Sequence, residues 1–138
     1  MNIDEKTGSH PAIGSAPPPL NGMRILLIDD SPDSHRIVGA VLCDTGASID
    51  SAYSGKEALE NVAKENYDLI LLDIQMPVLD GYQVKSVLRN HGVLCPIIAF
   101  TDRENGKKFQ SVSFTDFFPK SQIMDSLVTF LAAHCTRV

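Results

Sequence analysis

Residues 67–84 read YDLILLDIQMPVLDGYQV. The apolar run Leu69 to Leu72 is too short for a helix and ends abruptly on an acid, Asp73. An unbroken run of this length, without polar alternation, is what a strand covered on both faces requires, so Asp68 to Leu72 reads as a central strand of a parallel sheet. Pro77 then fixes the loop after the strand, and Gly81 permits the turn into a helix over Tyr82 to Asn90 that stops at Gly92. The stretch is thus one βα unit with a carboxylate at the carboxyl end of its strand.

Working outward, the same unit recurs. Upstream, RILLIDDSPDSHR (24–36) places the strand Met23 to Ile28 before Asp29 and Asp30. Ser31 as N-cap and Pro32 at the first helical position then open a helix carrying Ile37, Val38, Val41 and Leu42 at helical spacing. A strand over Ser48 to Ala52 leads to a capping box, Ser54 with Glu57, ahead of Ala58, Leu59, Val62 and Ala63. Downstream, PIIAFTD (96–102) sets a strand over Pro96 to Phe100 before Thr101, and DFFPKS (116–121) sets a strand over Thr115 to Phe118 before Lys120. A weakly apolar stretch, Arg103 to Val112, makes a short helix, and a final helix starts near Gln122 and carries Leu127, Val128 and Leu131. Five such units predict an α/β fold, a doubly wound five-stranded parallel sheet with helices on both faces. Residues 1–22, rich in Pro, Gly, Ser and Ala, read as a disordered leader or linker, and 23–138 as the folded domain.

Composition narrows the function. Among 138 residues, 17 acidic against 12 basic side chains give a net charge of −5 with no basic run, which disfavours nucleic acid as a direct partner. No apolar stretch approaches the roughly 20 residues of a membrane span, and no secretory signal precedes the domain, so a cytoplasmic protein without membrane contact is expected. Cys43, Cys95 and Cys135 are odd in number and lack metal-binding spacing, and they read as reduced core thiols. His10, His35, His91 and His134 are scattered, and none is assigned catalysis.

In open parallel sheets ligands bind beyond the carboxyl ends of the strands, where the winding direction reverses. Asp29, Asp30, Asp73, Thr101 and Lys120 all stand at such ends. Three carboxylates in one cleft repel, and the repulsion is relieved by proton uptake or by a divalent cation, with Mg²⁺ the natural fit for oxygen ligands. A lysine and a hydroxyl beside them supply charge and a donor for a phosphoryl oxygen, so the set describes phosphoryl transfer onto an aspartate. The bland alternatives are that Asp30 caps the following helix, that Thr101 forms a capping box with Glu104, that Lys120 is a solvated surface residue and that Phe117 is plain core.

Taken together, RILLIDDSPDSHR, YDLILLDIQMPVLDGYQV, PIIAFTD and DFFPKS resemble the receiver domain of two-component response regulators, over about Met23 to Cys135. The resemblance implies the flavodoxin-like strand order 2-1-3-4-5. It makes Asp73 the phosphoacceptor, with Asp29, Asp30, Asp73 and the backbone carbonyl of Gln75 holding Mg²⁺. It assigns the phosphoryl group to Thr101 and Lys120, a conformational switch to Thr101 with Phe117, and docking of the phosphodonor to Asp33, Ser34, Ile37 and Val41. Some positions depart from the family pattern. Ser121 follows Lys120 where Pro is usual, and since a cis bond there costs about 2.5–4 kcal/mol, that peptide is expected trans. Asp102 stands where a small residue is usual, Ser113 where Gly is common, and the segment from Thr101 to Lys120 is short.

The implied function is that of a phospho-accepting receiver in a two-component system or phosphorelay. It takes its phosphoryl group from a histidine kinase or histidine phosphotransfer protein and signals by contact with an unidentified downstream protein. It stands alone or is one piece of a hybrid kinase, and it is not an enzyme beyond its own phosphorylation and dephosphorylation. The alternative is a degenerate receiver serving as a constitutive protein-binding module. A hydrolase with an aspartate nucleophile is opposed by Gln75, which stands where a second Asp belongs, and flavin or nucleotide binding by the absence of a Gly-rich cradle after the first strand.

Overall fold

Side chains alternate across a strand, so a strand buried on both faces feeds two separate cores. The computed structural model, which describes residues 18–74, 81–101 and 116–134, shows this division. Its strands are β1 (Arg24–Ile28), β2 (Ser48–Ala52), β3 (Leu69–Leu72), β4 (Ile97–Thr101) and β5 (Asp116–Pro119). Its helices are α1 (Pro32–Leu42), α2 (Gly55–Lys64), α3 (Gly81–Asn90) and α4 (Ile123–Ala133), with a 3-10 turn over Lys120–Gln122. Ile25, Leu27, Leu69, Leu71, Ile98 and Phe100 pack with α1 and α4 on one face. Leu26, Ile28, Ile70, Leu72 and Ile97 pack with α2 and α3 on the other.

All strands run parallel in the order β2-β1-β3-β4-β5, as expected. Winding reverses between β1 and β3, and the register pairs Ile28 with Leu72, so the acids that follow these two residues emerge side by side. The backbone N–H groups of Asp29 and Asp73 extend the ladders, donating to Ala52 at 3.0 Å and Ile28 at 2.9 Å. β2 is an edge strand with only Ala52 fully buried, Ile49 and Asp50 half-buried and both serines exposed, in keeping with its mixed sequence, SIDSA.

Local signals acted as read, with two shifts. Ser54 Oγ accepts from the Glu57 N–H at 3.1 Å, but Glu57 reaches back to the N–H of Tyr53, one residue before the cap. Ser31 occupies the N-cap of α1 without using its side chain, and the stabilising carboxylate is that of Asp29, which accepts from the Ser31 N–H at 2.9 Å. Gly92 ends α3 at φ +89°, with the Val93 N–H closing onto the Leu88 carbonyl at 3.1 Å. The described residues contain no cis peptide bond, and the Lys120–Ser121 bond is trans as expected.

Residues 18–22, read from composition as part of a leader, pack onto the folded domain. Leu20 is fully buried in the α1/α4 core, its N–H bonded to the Thr45 carbonyl at 2.8 Å, and the Gly22 N–H meets the Gly46 carbonyl at 3.0 Å. Gly46 sits at φ +88°, where a Cβ would lie 2.7 Å from the Asn21 Cα. A single leucine therefore anchors a stretch whose neighbours look unstructured, and residues 18–22 belong to the folded unit. Residues 1–17 of the proposed leader, the Arg103–Val112 helix, Asp102, Ser113 and Cys135 lie outside the described residues. Leu20→Ala is expected to destabilise the domain by about 2–3 kcal/mol, read by urea unfolding, through the cavity it leaves.

Of the expected core thiols, Cys43 is exposed at the end of α1 and Cys95 is half-buried, its pKa pushed up by burial. Cys43 falls one residue beyond the helical stripe that ends at Leu42, so apolar neighbours in sequence did not place it inside. Among the described residues no helix is long and apolar enough to cross a membrane.

At the amino end of the sheet, the Tyr67 hydroxyl donates to Asp50 Oδ2 at 2.6 Å, and burial with that bond pushes its pKa up to about 12 from 10.0. The folded state holds this proton more tightly than the unfolded chain does. The resulting stability is complete below pH 10 and is lost as pH rises toward 12. Tyr67→Phe should therefore cost about 1 kcal/mol at neutral pH, and its urea unfolding curve should converge on the wild type's across that alkaline window.

Candidate functional site

The carboxyl ends of β1, β3 and β5 deliver one cluster. Asp29, Asp30 and Asp73 each place a carboxylate oxygen within 4.8 Å of the others. Asp29 and Asp73 are buried at 0% and 4% exposure, while Asp30 is exposed. The Lys120 ammonium, supplied by the 3-10 turn after β5, lies 2.8 Å from Asp29 Oδ2 and 3.4 Å from Asp73 Oδ2. Its Nζ also lies over the Phe100 ring, 5.5 Å from the centroid, a cation–π contact that helps hold the amine without a proline after it.

The electrostatics are unbalanced. Three carboxylates face one ammonium among the described residues, leaving a formal surplus of two negative charges. Burial pulls the Lys120 pKa down, but Asp29 and then Asp73 outweigh it, and the amine titrates above its ordinary value. Asp29 Oδ1 is satisfied by the Ser31 N–H, whereas Oδ2 is fully buried with no hydrogen bond of good geometry and only the Lys120 charge beside it. A buried, under-satisfied oxygen beside two further carboxylates is the donor set a hard divalent cation takes, so these residues fit Mg²⁺.

Thr101 is the last residue of β4 and is buried at 1% exposure, paired in register with Pro119 of β5. Phe117 lies within β5 opposite Ala99, its side chain outside the described residues, as is Gln75. The four residues expected to meet the phosphodonor divide. Asp33 and Ile37 are exposed on α1, whereas Ser34 is buried and Val41 packs against the α1/α4 core. Alternation around a helix turns Ser34 inward, so the outward set narrows to Asp33 and Ile37.

His35, one of the scattered histidines, is half-buried on α1. Its Nε2 lies 2.7 Å from the Asp29 backbone carbonyl and its Nδ1 2.7 Å from Ser51 Oγ. Only the fold brings Ser51 and the Asp29 carbonyl to this ring, and no local sequence signal announces it.

Comparison with known proteins agrees with this geometry. Residues 25–132 match the response regulator receiver domain, and the chain belongs to that family. It is 31% identical over 128 residues to hybrid signal transduction histidine kinase B of Dictyostelium discoideum, a match covering 80% of this chain and 6% of that kinase. The chain thus spans a small fraction of that relative. Among solved structures, the Vibrio cholerae chemotaxis response regulator CheY4 superposes with a TM-score of 0.73 at 27% identity, covering 82% of this chain and 98% of that one. The Thermotoga maritima response regulator TrrA, solved in complex with Mg²⁺–BeF, gives a TM-score of 0.71 at 31% identity, covering 82% and 99%. The protein is a two-component receiver, a signal-transduction domain.

Proposed function

We propose that the chain accepts a phosphoryl group on the Asp73 carboxylate from a histidine kinase or histidine phosphotransfer protein and passes the signal on by protein contact. The observation that carries this reading is the buried Asp29 Oδ2, beside which only the Lys120 ammonium stands among the described residues, inside a triad of carboxylates that one ammonium does not balance. Asp29, Asp30 and Asp73, with the Gln75 carbonyl, would hold Mg²⁺. When bound, Mg²⁺ neutralises carboxylate charge and the charge on the phosphoryl oxygens.

A carboxylate oxygen of Asp73 attacks phosphorus, the bond from phosphorus to the donor's imidazole nitrogen breaks, and an acyl phosphate forms. Lys120 already bridges Asp29 and Asp73, so its N–H groups can turn from Asp73 to the incoming phosphoryl oxygens without leaving the site. The Thr101 hydroxyl, at the end of the neighbouring strand, supplies a further donor, and Phe117 in β5 is the element whose repacking would report it. Asp33 and Ile37 on α1 face the donor. The downstream partner is a protein and not nucleic acid, given the acidic net charge, and the setting is cytoplasmic, with residues 1–17 as a linker. The triad and Lys120 are intact, and among the described residues no observation favours a receiver that has lost phosphorylation.

Intact-mass spectrometry after incubation with acetyl phosphate should show a single phosphoryl adduct that disappears when Mg²⁺ is chelated. Asp30→Ala should raise the Mg²⁺ concentration for half-maximal adduct by at least about tenfold. An unchanged Mg²⁺ requirement would remove Asp30 from the ligand set.

A further inference from the structure

We propose that His35 is a positioning residue for the acidic cation site, gripping the Asp29 backbone carbonyl so that the following residue, Asp30, enters the triad. The inference rests on the reading of Asp29, Asp30 and Asp73 as cation ligands and adds to it a group that touches none of the ligand oxygens.

Asp29 and Asp30 are held in different ways. The Asp29 carboxylate is fixed from two sides, by the Ser31 N–H at 2.9 Å and the Lys120 ammonium at 2.8 Å. The Asp30 carboxylate is exposed and has no hydrogen-bond partner among the described residues. Its placement therefore depends on the backbone. The peptide joining Asp29 to Asp30 is planar, so fixing the Asp29 carbonyl oxygen fixes the direction in which the chain presents the Asp30 Cα. His35 does this from one turn into α1, with Nε2 at 2.7 Å from that oxygen.

The ring is itself immobilised. A carbonyl oxygen only accepts, so Nε2 carries hydrogen whatever the charge of the ring. Nδ1 lies 2.7 Å from Ser51 Oγ, and the ring sits 4.2 Å from the Tyr53 ring, tilted by 37°. Ser51 belongs to β2 and Tyr53 follows that strand, so three segments (α1, the end of β1 and the β2 edge) meet at one imidazole. A ligand held ready in this way loses less freedom when the cation arrives.

Calorimetric titration of Mg²⁺ into the unphosphorylated full chain tests the proposal with three variants. The amide nitrogen of Gln reaches about as far as Nε2, whereas that of Asn reaches only as far as Nδ1. His35→Leu should bind Mg²⁺ about tenfold more weakly than wild type. His35→Gln should restore wild-type affinity, and His35→Asn, which retains only the Ser51 side of the contact, should behave as Leu does. A purely structural role would lower thermal stability in chelator while leaving the affinity of the folded protein unchanged. Equal affinity in His35→Leu and wild type, or recovery in Asn to the level of Gln, would overturn the proposal. Absence of Mg²⁺ binding in wild type itself would instead overturn the cation site on which it rests.

Discussion

Replacing Lys120 with methionine is expected to destabilise the metal-free domain by about 3–4 kcal/mol, because it strands a buried charge. Methionine keeps an unbranched apolar side chain and removes the ammonium with its contact to the Phe100 ring, so the loss is mainly electrostatic. Asp29 is fully buried and Lys120 is the cation beside its Oδ2, at 2.8 Å, with Asp73 drawing on the same amine at 3.4 Å. Without it three carboxylates face one another with no positive charge among the described residues. The figure lies in the lower part of the range for breaking a buried pair because the lysine side chain is 23% exposed and partly screened. Urea unfolding with and without Mg²⁺ checks it: the variant should recover more stability from Mg²⁺ than wild type does, since the cation then meets a denser negative site. A variant within about 0.5 kcal/mol of wild type would show that the amine does not balance the triad.

How far the sequence disclosed this site follows from what kind of signal each residue carries. β1, β3 and β4 were legible because strands buried on both faces leave unbroken apolar runs, and the acids that end two of them stand out for the same reason. Once strand ends are known, parallel register alone brings Asp29 and Asp73 together. Lys120 was legible by its place after the last strand, but its aim was not. Phe100, on a different strand, lies under the ammonium, and no local pattern announces that contact.

The residues that were misread depend on contacts distant in sequence. Leu20 looks like part of a Pro-rich leader until the Thr45 carbonyl meets its N–H. His35 looks like one more surface histidine until β2 brings Ser51 beneath it. Each miss is a case where local pattern was silent and tertiary packing decided.

Asp73→Asn is expected to abolish phosphoryl incorporation completely while leaving the fold intact. The asparagine amide keeps the volume of the carboxylate at the end of β3 but has no anionic oxygen to attack phosphorus. Removing one of three crowded carboxylates also relieves repulsion, so the variant should unfold in chelator at no lower urea concentration than wild type. Asp29 and Asp30 remain at the end of β1, where the Asp29 carboxylate is already engaged by the Ser31 N–H and the Lys120 ammonium. The most direct test is intact-mass spectrometry of wild type and Asp73→Asn, incubated in parallel with Mg²⁺ and a phosphorylated histidine kinase. The account predicts one phosphoryl group on wild type and none on the variant. Equal incorporation in both, or none in either from a kinase shown to phosphorylate another receiver, would contradict it.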